Sequence, residues 1–201
     1  MMKHFSFRGT RRQSLPLLAL GMIMGVTVPQ GTSAALQILD SINGEDLAAI
    51  QATLPSLRDR RLAPEAHNIF VGAGAAFVGV VYQDEKDSSK IVGIRVNPAG
   101  DLTAAEASGI LMGRAVFQLR GKLHGSSLGP MIAALPVFAQ QKGLHLDQYR
   151  LELIREKTSF IVTFLDKTSQ PGGLGNPGPL PGFEVVLNAQ DLKVLRSHYI
   201  R

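Results

Sequence analysis

A serine in a glycine-flanked pentapeptide is the part of this sequence that most resembles catalytic machinery. The stretch GSSLG, residues 125–129, fits the G-x-S-x-G pattern with Ser127 as nucleophile, and His198 follows several aspartates downstream. That chemistry needs a strand before the serine and a parallel sheet beneath it, whereas the sequence predicts a helix before GSSLG. Ser126 or Ser127 is better explained as the cap of a helix that starts near Pro130. A serine hydrolase is therefore the least favoured of three predicted functions.

A second motif, GLGNPG at residues 173–178, has the spacing of a dinucleotide-binding turn. Such a turn must open a helix whose N-terminus meets the pyrophosphate, but here prolines lead into a predicted strand. The motif belongs instead to a Gly/Pro-rich hairpin loop, residues 170–182, and loops of this kind often carry binding function. The residues predicted to contact a partner are Leu174, Asn176, Leu180 and Phe183.

The sequence predicts no metal site and no cofactor. Histidines 67, 124, 145 and 198 are scattered, without the close spacing of ligands. The acidic stretch DEKDSS, residues 84–89, lacks the glycine and the terminal glutamate of a calcium loop. We predict a solvated turn at that place.

The N-terminal residues predict export. A start with four basic residues and no acidic one precedes an apolar run over residues 15–28, and small residues end at Ala34. This is the pattern of a secretory signal peptide, residues 1–34. The apolar run is shorter than the ~20 residues that a spanning helix needs. We therefore expect a periplasmic or secreted protein without a transmembrane anchor after cleavage.

Charge and cysteine content exclude several partners and chemistries. Four of the 21 basic residues lie in the predicted leader, which leaves 17 against 16 acidic residues in the remaining 167. This balance gives no reason to expect nucleic acid as a partner. The chain has no cysteine, so disulfides and thiolate chemistry are excluded, and a hydrophobic core must hold the fold.

The remaining chain predicts two similar units, residues 35–100 and 123–201. Each has an amphipathic helix followed by three strands, and short connections require antiparallel pairing. An offset of 82 residues aligns Leu62 with Leu144, Val80 with Val162 and Asp84 with Asp166. An internal duplication and a shared order without common ancestry both explain this. The predicted fold class is α+β, with two helix-plus-meander units.

A central helix is predicted between the units, over residues 101–122. Thr103 and Glu106 have the spacing of a capping box, in which the side chain of each accepts a hydrogen bond from the backbone N–H of the other. Small residues along one side of this helix indicate close approach of another element.

The second unit resembles a known kind of secreted domain. A helix followed by an antiparallel meander that ends in GFEVVLNAQDLKVLRSHYI, residues 182–200, resembles the cystatin-like and peptidase-propeptide-type (PepSY) domains. The resemblance covers Met131–Arg201 and implies binding or inhibition. It transfers no functional residue.

Two non-enzymatic functions are therefore predicted ahead of the hydrolase. The first is an exported binding protein of the inhibitor or immunity type, which acts through a sheet face and the Gly/Pro-rich loop on another envelope or secreted protein. The second is an envelope assembly or structural factor that acts through the exposed edge of the final strand, residues 192–201.

Overall fold

The computed structural model describes residues 37–169 and 178–200, so the predicted leader and part of the Gly/Pro-rich loop lie outside it. Within these ranges no helix is long and apolar enough to cross a membrane. The helices and strands, in chain order, are β1 Ile38–Asn43, α1 Gly44–Asp59, β2 His67–Gly74, β3 Phe77–Asp84, β4 Ile91–Asn97, β5 Gly100–Asp101, α2 Ala104–Leu111, β6 Gln118–His124, α3 Gly125–Ala139, β7 Tyr149–Arg155, β8 Ser159–Asp166, β9 Gly182–Asn188 and β10 Val194–Ile200. Two 3₁₀ turns, Pro64–Ala66 and Leu146–Gln148, precede β2 and β7.

The described strands form two antiparallel five-stranded sheets, which confirms the predicted α+β class. The first sheet has the order β5-β4-β3-β2-β6 and the second has the order β1-β7-β8-β9-β10. The meanders β2-β3-β4 and β7-β8-β9 have equivalent registers, since Val80 faces Ile94 and Val162 faces Val185.

The two units exchange strands. β1, which precedes α1, pairs with β7 of the second sheet, and β6, which precedes α3, pairs with β2 of the first sheet. The registers again correspond, because Ile42 faces Leu151 and Leu123 faces Ile69. Neither strand was predicted. The two units are therefore interlocked rather than joined only by a linker.

The central helix is confirmed but is shorter than predicted. The capping box forms, with the backbone N–H of Thr103 donating to Glu106 Oε2 at 2.8 Å and the N–H of Glu106 donating to Thr103 Oγ1 at 3.3 Å. The helix α2 ends at Leu111 and is followed by Gly113 at φ +57, a left-handed conformation that favours glycine after a helix. Residues 118–122, predicted as the end of this helix, belong instead to β6, Gln118–His124.

The core lies between the helices α1 and α3 and the inner faces of the two sheets. In the second unit, residues 123–201, the core is aromatic: the ring of Phe138 of α3 stacks on Phe164 of β8 at 4.2 Å and meets Tyr149 of β7 edge-on at 5.0 Å. Each fully buried large apolar side chain contributes roughly 1.5–3 kcal/mol relative to exposure. This packing fixes α3 on the second sheet.

The outer face of the first sheet is covered by α2, and glycines make this possible. A Cβ placed at Gly72 would lie 2.7 Å from Ile110, and one placed at Gly79 or Gly93 would lie 2.9 or 2.8 Å from Leu102. These distances are shorter than van der Waals contact. The three glycines therefore allow α2 and the residues before it to approach the sheet.

Candidate binding cleft

An open cleft lies beside α3, on the side that faces α1. Its volume is about 470 Å³, within the range of ligand-binding pockets. Most of its lining side chains are apolar, with Gln51 and His145 as polar members. The residues that line it are Gln51, Ile132, Leu135, Pro136, Phe138, Ala139, Leu144, His145 and Leu146.

The helical repeat of α3 produces one wall of the cleft. Leu135, Pro136 and Ala139 lie three, four and seven residues after Ile132, so all four share one side of the helix. Phe138 is buried beneath them, where it stacks in the aromatic core. The wall is therefore mounted on a rigid element rather than on a loop.

A close backbone contact positions the opposite wall. Gly44, the first residue of α1, lies against the carbonyl of Leu146, and any Cβ at position 44 would overlap that oxygen. Gly125, the first residue of α3, meets the carbonyl of Pro64 in the same way. These two glycines were missed by sequence reasoning, although an offset of 81 residues, which also aligns Leu54 with Leu135, aligns them.

The unit of residues 35–100, here called the first half, has a smaller cleft with more charged lining residues beside α1. This cleft corresponds to the one beside α3 in the second half, residues 123–201. Its volume is about 290 Å³, and Arg58 stands at the helix position that Ala139 has in α3. Its lining residues are Leu54, Leu57, Arg58, Leu62, Pro64 and Glu65. The two halves thus share the location of a cleft but not its chemistry.

The predicted loop contacts are only partly within the described chain. Leu174 and Asn176 lie outside it. Leu180 is partly buried against the core, and its N–H donates to Asp166 Oδ2 at 3.1 Å. Phe183 is 2% exposed and packs 6.2 Å from the ring of Phe138. Leu180 and Phe183 therefore have packing roles, and neither lines the cleft.

The structure does not bring the two hydrolase candidates together. Ser127 is 3% exposed, and its hydroxyl donates to Asp40 Oδ2. His198 lies on β10, with Nε2 at 3.7 Å from Glu184 Oε1. In the described chain no hydrogen bond or ion pair joins Ser127 to His198. Because Ser127 is buried and bonded to a carboxylate, its surroundings are those of a structural residue.

The cap of α3 is His124, which replaces the predicted serine cap. Its Nδ1 accepts the backbone N–H of Ser126 at 3.4 Å and lies 2.7 Å from Ser126 Oγ, while Nε2 lies 2.9 Å from Glu85 Oε1. The spatial arrangement of Ser126, His124 and Glu85 resembles a catalytic triad. The bond from the backbone N–H shows that the ring serves as a helix cap, and we assign it that role.

A buried acid lies near the crossing of β1 and β6. Asp46 Oδ1 is 2.9 Å from an Arg120 nitrogen, which also lies 2.6 Å from Glu45 Oε1. The Asp46–Arg120 contact has ion-pair distance but not the alignment of a hydrogen bond. Burial raises the pKa of Asp46 above its ordinary value, and the Arg120 charge opposes this shift. The described ranges hold no group of acidic or histidine side chains suited to a metal ion.

Comparison with protein-family models, with curated proteins and with solved structures returned no match. The resemblance to cystatin-like and PepSY domains therefore receives no support from relatives and stays a prediction.

Proposed function

We propose that this chain is an exported, non-enzymatic binding protein, and that its site is the apolar cleft beside α3. The partner is another envelope or secreted protein that inserts apolar side chains. The observation that carries the proposal is the difference between the clefts: about 470 Å³ and mostly apolar in the second half, about 290 Å³ with two charged residues in the first.

The form of the cleft favours a protein partner. Its floor is the buried ring of Phe138, while Pro136, Ala139 and His145 stand exposed at its rim. Protein interfaces have this arrangement, in which an apolar pocket accepts an anchor side chain and a more polar rim excludes water. Burial of apolar surface contributes about 25 cal/mol per Å² before the costs of association, so the fit of an anchor side chain in the pocket decides the affinity more than the area does.

Export rests on the sequence. The predicted leader holds four of the 21 basic residues and no acidic one, so it accounts for most of the net charge of +5, and the nearly neutral remainder favours neither nucleic acid nor an anionic surface.

Site-specific photo-crosslinking tests this proposal. A benzophenone amino acid placed at Ala139, in the chain expressed in its native host, should capture one dominant protein upon irradiation. The matched control carries the same group at Arg58, the corresponding position of the first half. Equal adduct patterns at the two positions, or no adduct at position 139, would contradict a binding site in the second cleft.

A second candidate function, envelope assembly through a strand edge, is favoured by a separate observation. Every residue of β10 except Ile200 is exposed, including Val194, Leu195 and Tyr199 at 45%, 58% and 51%. A long exposed edge strand is a template for pairing with another chain.

A further inference from the structure

β10 is the long strand edge that the described chain leaves open. It pairs with β9 on one side and with no described strand on the other. The edges β1 and β6 lie against each other, since Asp40 of β1 accepts the backbone N–H of His124 in β6 at 3.3 Å. The remaining edge, β5, has two residues.

We infer that β10 pairs with β10 of a second copy of this chain, antiparallel and centred on Ser197. The sequence of the strand, VLRSHYI, has nearly the same chemical order in both directions around Ser197. When a strand pairs with its own copy in antiparallel orientation about a two-fold axis, residues at equal distances before and after the central residue face each other. The inference is independent of the cleft, because no residue of β10 lines it.

This register matches side chains across the interface. Leu195, within the bulge of β10 between Val194 and Arg196, lies opposite Tyr199 of the second copy, and Val194 lies opposite Ile200, so apolar residues meet at both ends of the strand pair. A shift of one residue would place Leu195 opposite His198 and Ile200 opposite Lys193. The centred register is therefore the one that avoids apolar-to-charged pairs.

The basic residues of the strand have a nearby counter-charge. Arg196 lies opposite His198 of the second copy in the proposed register. In each copy Glu184 of β9 lies 3.7 Å from both Arg196 and His198. Two carboxylates thus border the two cross-strand pairs, which reduces the repulsion between basic groups.

The lack of cysteine allows a direct test of this register. In the proposed pair the two Ser197 residues are directly opposed, with Cα atoms about 4.5–5.5 Å apart, a separation that a disulfide can span. Ser197→Cys should therefore form a disulfide-linked dimer under mild oxidation of the folded protein. Leu195→Cys is the control, because the two copies of residue 195 would be roughly 13 Å apart along the strands.

Sedimentation of the unmodified protein gives the second readout. We expect a monomer–dimer equilibrium between about 1 and 500 µM, the weak range that suits a small interface. Leu195→Lys, at an exposed position, should weaken dimerisation at least tenfold while circular dichroism stays unchanged. A wild-type chain that remains monomeric throughout, or a Leu195→Cys chain that cross-links as fast as Ser197→Cys, would overturn the inference, even if β10 accepts a strand of another protein.

Discussion

The two sheets share one plan but differ in what their outer faces can accept. The first sheet has Gly72, Gly79 and Gly93 there, and α2 packs close to them. At the corresponding positions the second sheet has Ile154, Ile161 and Glu184, and no described helix lies on that face. The glycines at three positions of the first sheet thus leave room for α2, while the larger side chains stand at the corresponding positions of the second sheet.

The inner faces of the two sheets, with the helices packed on them, differ in the polarity of their buried side chains. The first half buries a polar pair, with Thr53 Oγ1 2.6 Å from the hydroxyl of Tyr82, whereas the second half has Ala134 and Phe164 at these positions. Beside this apolar core the second half opens its larger cleft. The two halves thus share a framework, with α2 on the outer face of the first sheet and a larger, more apolar cleft beside α3 in the second half.

The largest effect should come from the two glycines that interlock the halves. Gly44→Ala and Gly125→Ala each place a methyl group on a backbone carbonyl that cannot move alone. We expect each to lower the free energy of unfolding by about 3 kcal/mol or more, measured by urea denaturation. Gly129→Ala in α3 is the control, since its Cβ meets a single side-chain atom at 3.6 Å. A mild effect at only one of the two positions would break the equivalence of the halves.

A transplant between the sheets should have the next largest effect. Gly79→Ile introduces the residue found at position 161, and its side chain would collide with Leu102 and Ile110. We expect a loss of roughly 1–3 kcal/mol, with faster hydrogen exchange in α2. Ile161→Val is the control and should leave exchange in α2 unchanged. Unaltered exchange in Gly79→Ile would show that the glycines do not govern the cover.

A double-mutant cycle sharpens the contrast between the cores. Thr53→Ala leaves the buried Tyr82 hydroxyl without this partner, and burial already raises the pKa of Tyr82 to about 12. The double change with Tyr82→Phe gives the pair found in the second half. We expect a coupling free energy of about 1 kcal/mol by chemical denaturation. Additive single effects would mean that the two hydroxyls do not depend on each other.

The smallest effect concerns pH. Burial raises the pKa of Asp46 above 3.8, its ordinary value, so the unfolded state ionises first as pH rises. The free energy of unfolding of the wild type should therefore fall relative to that of Asp46→Asn as pH rises above 3.8. The difference should level off once pH exceeds the folded-state pKa. Unfolding free energies of both proteins across this range give the difference. A difference that grows in favour of the wild type would contradict the raised pKa.

The sequence predicted the fold class and the aligned meanders because these depend on local patterns. Asp84 and Asp166, aligned by the offset of 82 residues, do have one role: each accepts a backbone N–H two residues later at 2.8 Å. This agreement fits both a duplication and a shared order without common ancestry.

The exchanged strands and the cleft could not be predicted in this way. β1 and β6 pair with the opposite unit, so no local pattern names their partner. In the sequence, Leu135 and Ala139 look like ordinary apolar positions of a helix. Only the folded structure shows that α1 and Leu146 lie opposite them and form a cleft. Both features depend on contacts that are distant in sequence.

The proposed function requires that the binding cleft belong to the second half of the molecule, beside α3. Its most direct test is the binding of a neutral apolar dye, N-phenyl-1-naphthylamine, to residues 35–201 and to two exchanged variants. Ala139→Arg introduces the first-half residue at the exposed rim, and Arg58→Ala makes the reverse change. We predict that Ala139→Arg weakens dye binding at least tenfold and that Arg58→Ala does not weaken it. Wild-type binding by Ala139→Arg would contradict the account.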